Sequence, residues 1–169
     1  MDGTRALRQG GRYGLLPALS LLIACSACTM HEARTATQLR QVQRRQIVVL
    51  AESLAGIPYV YGGGDIDGFD CSGLVFYVYD CFGIRLPRSA VEQADLAGAV
   101  SWKRALAGDI LAFRLKDGWH TAIYVGDDRF VHAPSAGEWV RVEAMNEYWR
   151  RHLETVIAVL PSRRRAEDS

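Results

Sequence analysis

Gly68-Phe69-Asp70-Cys71-Ser72-Gly73-Leu74-Val75 is the stretch that decides the fold, because it joins a glycine-rich loop to an apolar run. Asp70 is a typical N-cap residue, since its carboxylate can accept hydrogen bonds from the exposed N–H groups of a first helical turn. Gly83 marks the expected end of that helix. Residues 74–79 also have strand propensity, but the two bracketing residues and an apolar surface all round favour a buried helix.

Cys71 would lie in the first turn of this helix, where the positive end of the helix dipole stabilises a thiolate. An unperturbed thiol is mostly protonated at neutral pH, so this position favours a nucleophile. A lone cysteine is nevertheless more often an inert buried residue, as we expect for Cys81 in the same helix. The nucleophile hypothesis therefore depends on a base elsewhere in the chain.

Composition restricts the class of protein. The 169 residues allow one domain with a sizeable core, and 49% of them are apolar, as in soluble globular proteins. The net charge of +1 gives no indication of a nucleic-acid partner. Four cysteines, at positions 25, 28, 71 and 81, show no zinc-ligand spacing, so we predict no metal site.

Residues 1–24 predict a signal peptide, with a basic start and an apolar run over residues 15–24 that is too short to span a bilayer. The run ends Leu22-Ile23-Ala24-Cys25, which resembles the bacterial lipobox, where the cysteine is lipidated and becomes the mature N-terminus. This resemblance implies a lipid anchor at Cys25, a tether over residues 25–35 and, with Ser26 next, a place in the outer membrane. Ordinary secretory cleavage and lipidation at Cys28 are the alternatives.

The mature chain predicts helices first and strands afterwards. Helices are expected over residues 36–55 and 90–96, on either side of the Cys71 helix. Strands are expected over 109–115, 119–125, 129–133, 140–143 and 155–160, with a helix over 145–152. This order indicates an α+β fold with an antiparallel sheet over residues 36–161. The charged residues 162–169 predict a disordered tail.

Two histidines on neighbouring predicted strands, His120 and His132, are candidates for the base and its orienting partner. An unpaired imidazole inside an apolar strand is unfavourable, so these residues need partners. Two structural histidines with satisfied hydrogen bonds are one alternative. A metal site formed with Cys71 is another, but it lacks a fourth ligand.

The hairpin between the two histidine strands allows a geometric prediction. A three-residue loop over 126–128 would pair Val125 with Arg129 and place His132 opposite Ala122, diagonal to His120 on the same face. A two-residue loop would place the histidines on opposite faces. We therefore expect an odd-length loop, a contact between the two rings on the face towards Cys71, and the Cys71 sulfur within about 3–4 Å of a His120 ring nitrogen.

Six segments, in this order along residues 50–160, resemble the NlpC family of papain-like bacterial cell-wall cysteine peptidases. They are Pro58-Tyr59-Val60-Tyr61-Gly62-Gly63, Phe69-Asp70-Cys71-Ser72-Gly73, Leu86-Pro87-Arg88-Ser89, Gly108-Asp109, His120-Thr121-Ala122-Ile123-Tyr124-Val125-Gly126 and Phe130-Val131-His132-Ala133. The resemblance implies a papain-like domain in which N-terminal helices, including the nucleophile helix, pack on an antiparallel sheet.

The same resemblance implies roles for individual residues. Cys71 matches the nucleophile, His120 the general base and His132 the residue that orients the base. Tyr59 matches a tyrosine near the oxyanion hole, where the backbone N–H of Cys71 would be the other donor. Polar positions that line the substrate groove in some members are matched by Asp70, Ser72 and Arg88. Asp70 can also cap the helix, and Arg88 can equally be a surface residue.

The implied reaction is cleavage of amide bonds in peptidoglycan stem peptides through a thiol acyl-enzyme, with no metal or organic cofactor. Met145-Asn146-Glu147-Tyr148-Trp149 resembles the lipoprotein endopeptidases of the family and favours the cross-link over the bond between D-glutamate and the diamino acid. The family usually has Val-Gly where this chain has Thr121-Ala122. This difference puts the expected shape of the substrate groove in question and leaves the catalytic residue types unchanged. The alternative function is a catalytically silent lipoprotein that binds peptidoglycan.

Overall fold

A computed structural model describes residues 18–160, with side chains described from residue 34 onward. The chain divides into two compact units, Met1–Ala36 and Thr37–Ser169, and the second contains the sheet. The start of the predicted signal peptide and the predicted tail lie outside the described residues. Of the helices in residues 18–160, none is long and apolar enough to cross a membrane.

The elements follow the predicted order of helices and then strands. Helix α1 spans Ala18–Ser53, the hairpin strands β1 and β2 span Gly64–Asp65 and Gly68–Phe69, α2 spans Cys71–Asp80 and α3 spans Ala90–Ala94. Strand β3 (Ala99–Val100) and a 3₁₀ helix (Trp102–Arg104) precede β4 (Ile110–Leu115), β5 (Gly118–Gly126), β6 (Arg129–His132), β7 (Arg141–Ala144), α4 (Glu147–His152) and β8 (Leu153–Ile157). The larger sheet has the order β3-β8-β4-β5-β6-β7 with antiparallel pairing, which confirms the α+β prediction.

Helix α1 begins well before the predicted residue 36, so the whole stretch expected as a tether, residues 25–35, is helical here. No Gly or Pro occurs between residues 18 and 53, and the stretch contains Ala, Met, Glu, Arg and Gln, which are good helix formers. The mixed polarity that suggested a tether therefore does not interrupt the helix. Gly56, with a φ of 92°, follows its end.

Helix α2 begins as the sequence predicts. The Asp70 carboxylate accepts a hydrogen bond of 2.6 Å from the backbone N–H of Gly73, which confirms its capping role. A Cβ atom at Gly73 would collide with the carbonyl oxygen of Gly63, so only glycine allows the loop to approach the helix this closely. Cys81 at the other end is exposed, so its assignment to core packing is wrong.

The two faces of the sheet pack against different helices. Residues including Ile110, Ala112, Ile123 and Val131 share a core with α1 and α2. The alternating positions form a second core with Trp149 of α4, made with Leu111, Phe113, Ala122 and Phe130. The sheet therefore has a nucleophile-helix face and an α4 face.

A buried ion pair links α1 to the residue that precedes β4. Arg44 Nη1 lies 2.8 Å from Asp109 Oδ1, and the side chains are 9% and 0% exposed. The guanidinium also donates to the carbonyl oxygens of Ala107 and Leu160, and Asp109 Oδ2 accepts from the N–H of Leu106. Each charge is thus compensated by hydrogen bonds as well as by its partner.

The β5–β6 hairpin has the predicted register, although the predicted loop length is wrong. Gly126 pairs with Arg129 across a two-residue turn in which Asp127 and Asp128 have φ values of 49° and 54°. A bulge at Val125 then restores the pairing of Tyr124 with Phe130. The extra residue compensates for the shorter turn, so the strand regains the register expected from a three-residue loop.

Candidate active site

The two strand histidines are in contact, as the sequence predicts, but the contact is on the α4 face of the sheet, so the prediction that it lies on the face towards the Cys71 helix is wrong. His120 Nε2 lies 2.9 Å from His132 Nδ1. The side chains are on the α4 face of the sheet, where Phe113 and Trp149 pack against the His120 ring and Phe130 and Trp149 against the His132 ring. His120 is 6% exposed and His132 fully buried, so the pair occupies a dry, aromatic setting.

A carboxylate that the sequence analysis does not single out extends this pair. Glu143 Oε2 lies 3.1 Å from His132 Nε2, and the same oxygen accepts 2.9 Å from Arg141 Nε. Glu143 Oε1 accepts from the indole N–H of Trp149 at 3.1 Å. Strand β7 pairs Phe130 with Glu143 and thereby brings Glu143 to the histidine face. Because the connection between β6 and β7 is long, the pairing register of these two strands cannot be predicted from the sequence.

Cys71 is the first residue of α2 and lines a cleft of about 830 Å³ together with His120. The body of α2 packs on the opposite face of the sheet from the histidine pair, so Cys71 meets the cleft at the end of its helix. The other predicted site residues that line this cleft are Tyr59, Asp70, Ser72 and Arg88, and Trp119 contributes a wall. His132 lies behind His120, outside the cleft lining.

Within residues 18–160 no hydrogen bond joins the Cys71 thiol to the His120 ring, so the expected separation of about 3–4 Å stays a prediction. Burial raises the pKa of the Cys71 thiol; a backbone hydrogen bond from Thr121 opposes this shift and the charge of Asp70 adds to it. The backbone N–H groups of Cys71 and Ser72 at the helix terminus lower this pKa, as expected, but the net shift is upward. Desolvation of the thiolate outweighs the favourable helix terminus.

The histidine pair is neutral at neutral pH. The pKa of His120 is lowered to about 3, mainly by burial and also by the neighbouring His132, while Glu143 opposes the shift. Burial likewise lowers the pKa of His132 to about 4, against the effect of Glu143. A neutral thiol beside a neutral imidazole needs a proton transfer before it can attack.

Three residues expected in the substrate groove form one network. Arg88 binds both carboxylate oxygens of Asp70 at 2.9 Å and also donates to Ser72 Oγ and to the carbonyl oxygen of Gly63. Burial raises the pKa of Asp70, but the hydrogen bonds from Arg88 and Gly73 outweigh it and hold the pKa below its usual value. Arg88 is thus tied into the loop beside α2, and substrate binding by the three residues stays a prediction.

Gln93 connects the two halves of the site and is not found by the sequence analysis. Its side-chain Nε2 donates to the carbonyl oxygens of Ser72 (3.0 Å) and Pro87 (2.9 Å), and its Oε1 accepts from Thr121 Oγ1 at 2.9 Å. Gln93 is fully buried. A buried amide with all these bonds holds the first turn of α2 against the residue that follows His120.

Tyr59 lines the cleft, and burial raises its pKa, with a further increase from the charge of Cys71. Its assigned place near an oxyanion hole stays a prediction. In the part of the chain that the structure describes, no group of three or more His, Cys, Asp or Glu side chains is arranged to hold a metal ion.

Comparison with known proteins finds relatives that are named as endopeptidases. The chain is 42% identical over 101 residues to a probable endopeptidase of Haemophilus influenzae, a match that covers 57% of this chain and 63% of that protein. It is 39% identical over 108 residues to the murein DD-endopeptidase MepS/murein LD-carboxypeptidase of Escherichia coli K12, covering 62% of this chain and 57% of that protein. The matched region thus spans less than two thirds of the length of these curated relatives.

A solved structure agrees with the fold. The crystal structure of the NlpC/p60 domain of the peptidoglycan hydrolase SagA superposes with a TM-score of 0.61 at 34% identity, covering 68% of this chain and 97% of that one. The NlpC/P60 family matches residues 56–158, which contain the cleft, Cys71 and both strand histidines. By its sequence and its fold, this chain belongs to the NlpC/P60 family.

Proposed function

We propose that this protein is a cysteine endopeptidase that hydrolyses amide bonds in peptidoglycan stem peptides. The observation that carries the proposal is the 2.9 Å contact between His120 and His132 beside a cleft that Cys71 also lines. A nucleophile, a base and a residue that orients the base are the minimum for thiol-mediated acyl transfer. The printed names of relatives, an endopeptidase and a murein DD-endopeptidase, support the same class of reaction.

In the proposed mechanism the neutral His120 takes the proton from the Cys71 thiol as sulfur attacks the scissile carbonyl carbon. The backbone N–H of Cys71 and Tyr59 stabilise the resulting oxyanion. The C–N bond breaks as His120 returns the proton to the leaving amine, which gives a thioester. Water, deprotonated by His120, then attacks the thioester and releases the acid and the thiol. His132 orients His120 throughout.

The finer choice of substrate is also part of the proposal. We place the scissile bond in the cross-link between neighbouring stem peptides, with the D-glutamyl–diamino acid bond as the alternative. The support is the murein DD-endopeptidase name of one relative and the resemblance of residues 145–149 to lipoprotein endopeptidases. Asp70, Ser72 and Arg88, which line the cleft beside Cys71, are the proposed substrate-binding residues.

Digestion of purified peptidoglycan with the purified protein, followed by mass spectrometry of the muropeptides, tests the function. The expected result is conversion of cross-linked dimers to monomers, unchanged by a chelator, because the proposed chemistry uses no metal. New products shortened after D-glutamate would instead identify the D-glutamyl–diamino acid bond as the scissile bond. Retention of cell-wall fragments without new products would instead identify a silent binder, and loss of cleavage with a chelator would identify a metal enzyme.

We further propose that the protein is lipid-anchored through Cys25 in the bacterial envelope, at the outer membrane facing the periplasm. The support is the basic start, the apolar run over residues 15–24 and the ending Leu22-Ile23-Ala24-Cys25. Ser26 follows the modified residue, where an Asp would favour retention in the inner membrane. The peptidoglycan substrate and the membrane are thus the proposed partners.

Expression of the full chain in a bacterial host tests the anchor. Intact-mass analysis of the membrane fraction is expected to show a diacylglyceryl addition and a chain that begins at Cys25. Cys25→Ala should abolish the addition, and Cys28→Ala, the matched control three positions later, should keep it. A soluble, unmodified protein that begins after residue 24 would contradict the anchor and leave the enzyme proposal unaffected.

A further inference from the structure

We propose that Glu143 is a positioning residue whose carboxylate decides which ring nitrogens of His132 and His120 carry protons. The inference rests on the proposed function, since it concerns the base that would activate Cys71. It assigns a role to a side chain that lies outside the cleft lining and two hydrogen bonds away from the base.

The protons can be assigned in sequence from the carboxylate inward. An ionised carboxylate only accepts hydrogen bonds, so the contact between Glu143 Oε2 and His132 Nε2 requires a proton on that nitrogen. A neutral His132 then has a lone pair at Nδ1, which accepts from His120 Nε2–H across 2.9 Å. A neutral His120 is thereby left with its lone pair at Nδ1, the nitrogen that His132 does not engage. This is the nitrogen available to accept the thiol proton.

The histidine pair alone does not select this arrangement. With all protons reversed, His132 Nδ1–H would donate to His120 Nε2 over the same distance, and His120 would carry its proton at Nδ1. That ring could not accept a proton from Cys71. Glu143 removes this symmetry, because the reversed arrangement would leave two acceptors, the carboxylate and the His132 Nε2 lone pair, facing each other.

The surroundings keep Glu143 ionised and oriented. Burial raises its pKa, but hydrogen bonds from the Trp149 indole and from Arg141, together with His132, hold the pKa below its usual value. The charged or titratable groups in contact with it are His132 of β6 and Arg141 of its own strand, and α4 contributes the uncharged Trp149. Glu138 pairs with Arg141, and its charge also acts to raise the pKa of His132 without a contact to the ring.

Glu143→Gln tests the assignment, with Glu138→Gln as a matched control that loses one negative charge beside Arg141 without touching a histidine. Ring nitrogen shifts of ¹⁵N-labelled histidine report the tautomers directly. The wild type is expected to show protonated Nε2 on both His120 and His132. Glu143→Gln and Glu143→Ala should populate protonated Nδ1 on both rings, and Glu138→Gln should match the wild type.

Steady-state cleavage of a cross-linked muropeptide gives the second readout. Loss of the group that fixes the tautomer lowers kcat about 10⁴-fold in serine proteases, and here the effect passes through a second ring. We therefore expect a loss in kcat of about 10- to 100-fold for Glu143→Gln, with KM changed less than about twofold. A purely structural role would change neither the tautomers nor kcat selectively.

The outcomes separate this inference from the proposed function. Tautomers that shift in both Glu143 variants support the positioning role even if the wild type cleaves no peptidoglycan, in which case only the function fails. An active wild type with unchanged tautomers in both variants overturns the positioning role and leaves the function standing. If neither variant folds, the wild-type spectrum still decides, because protonated Nδ1 on His132 would overturn the assignment.

Discussion

Cys71→Ala is expected to reduce peptidoglycan hydrolysis by at least about 10³-fold, because the proposed acyl-enzyme forms on the Cys71 sulfur. The change removes one sulfur atom from the cleft wall at the first position of α2, where alanine is a good helix former. The fold should therefore remain intact. Release of muropeptides measures the loss, and circular dichroism and thermal unfolding check the fold. Cys71→Ser is expected to behave in the same way.

Cys81→Ala is the matched control for this experiment. Among residues 34–160, whose side chains are described, the free cysteines are Cys71 and Cys81. Cys81 is exposed at the other end of α2. Its replacement should leave turnover unchanged and alter the free energy of unfolding by no more than about 0.5 kcal/mol. Near-normal turnover in Cys71→Ala would contradict the thiol mechanism, whatever the control shows.

Arg44→Ala is expected to lower the free energy of unfolding by about 3–5 kcal/mol, the largest effect on stability that we predict. The substitution leaves the fully buried Asp109 without its ion partner and frees the carbonyl oxygens of Ala107 and Leu160. The cost is mainly that of removing the counter-charge from a buried carboxylate. Urea denaturation of the purified protein measures it.

Arg45→Ala provides the control for Arg44→Ala, since the neighbouring side chain on α1 is exposed. We expect a change in the free energy of unfolding within about 0.5 kcal/mol. The double variant Arg44→Ala/Asp109→Ala should recover part of the loss, because it removes both charges together. A loss below about 1 kcal/mol in Arg44→Ala would show that the ion pair contributes no more than an exposed one.

The parts of the fold that depend on local residue chemistry follow from the sequence. Asp70 caps α2 through a backbone N–H three residues on, so the start of the nucleophile helix can be predicted. Turn residues delimit β4, β5 and β6 within a residue or two of their observed ends. Side-chain alternation with the expected three-residue loop places His120 and His132 on one face, and the structure reaches the same result through a two-residue turn and a bulge.

The features of the fold and the site that depend on burial, or on residues distant in the sequence, cannot be predicted from the sequence. The raised pKa of the Cys71 thiol comes mainly from desolvation, which a sequence does not reveal. Glu143 and Gln93 look like ordinary polar residues until the fold brings them to His132 and Thr121. The bulge at Val125 likewise has no clear signature, since valine is a common strand residue and the shorter turn alone would predict the opposite face.

That bulge determines which length changes the hairpin tolerates. Deleting Val125 would remove the unpaired residue and keep the Asp127-Asp128 turn, so Tyr124 would still pair with Phe130 and His132 would stay on the face of His120. One residue added to the turn would leave the same pairing as long as the bulge is kept. Loss of the bulge without a change in length would instead shift the register by one residue and place the two histidines on opposite faces. A loop graft at this hairpin must therefore preserve the pairing of Tyr124 with Phe130 rather than a fixed number of residues between the two histidines.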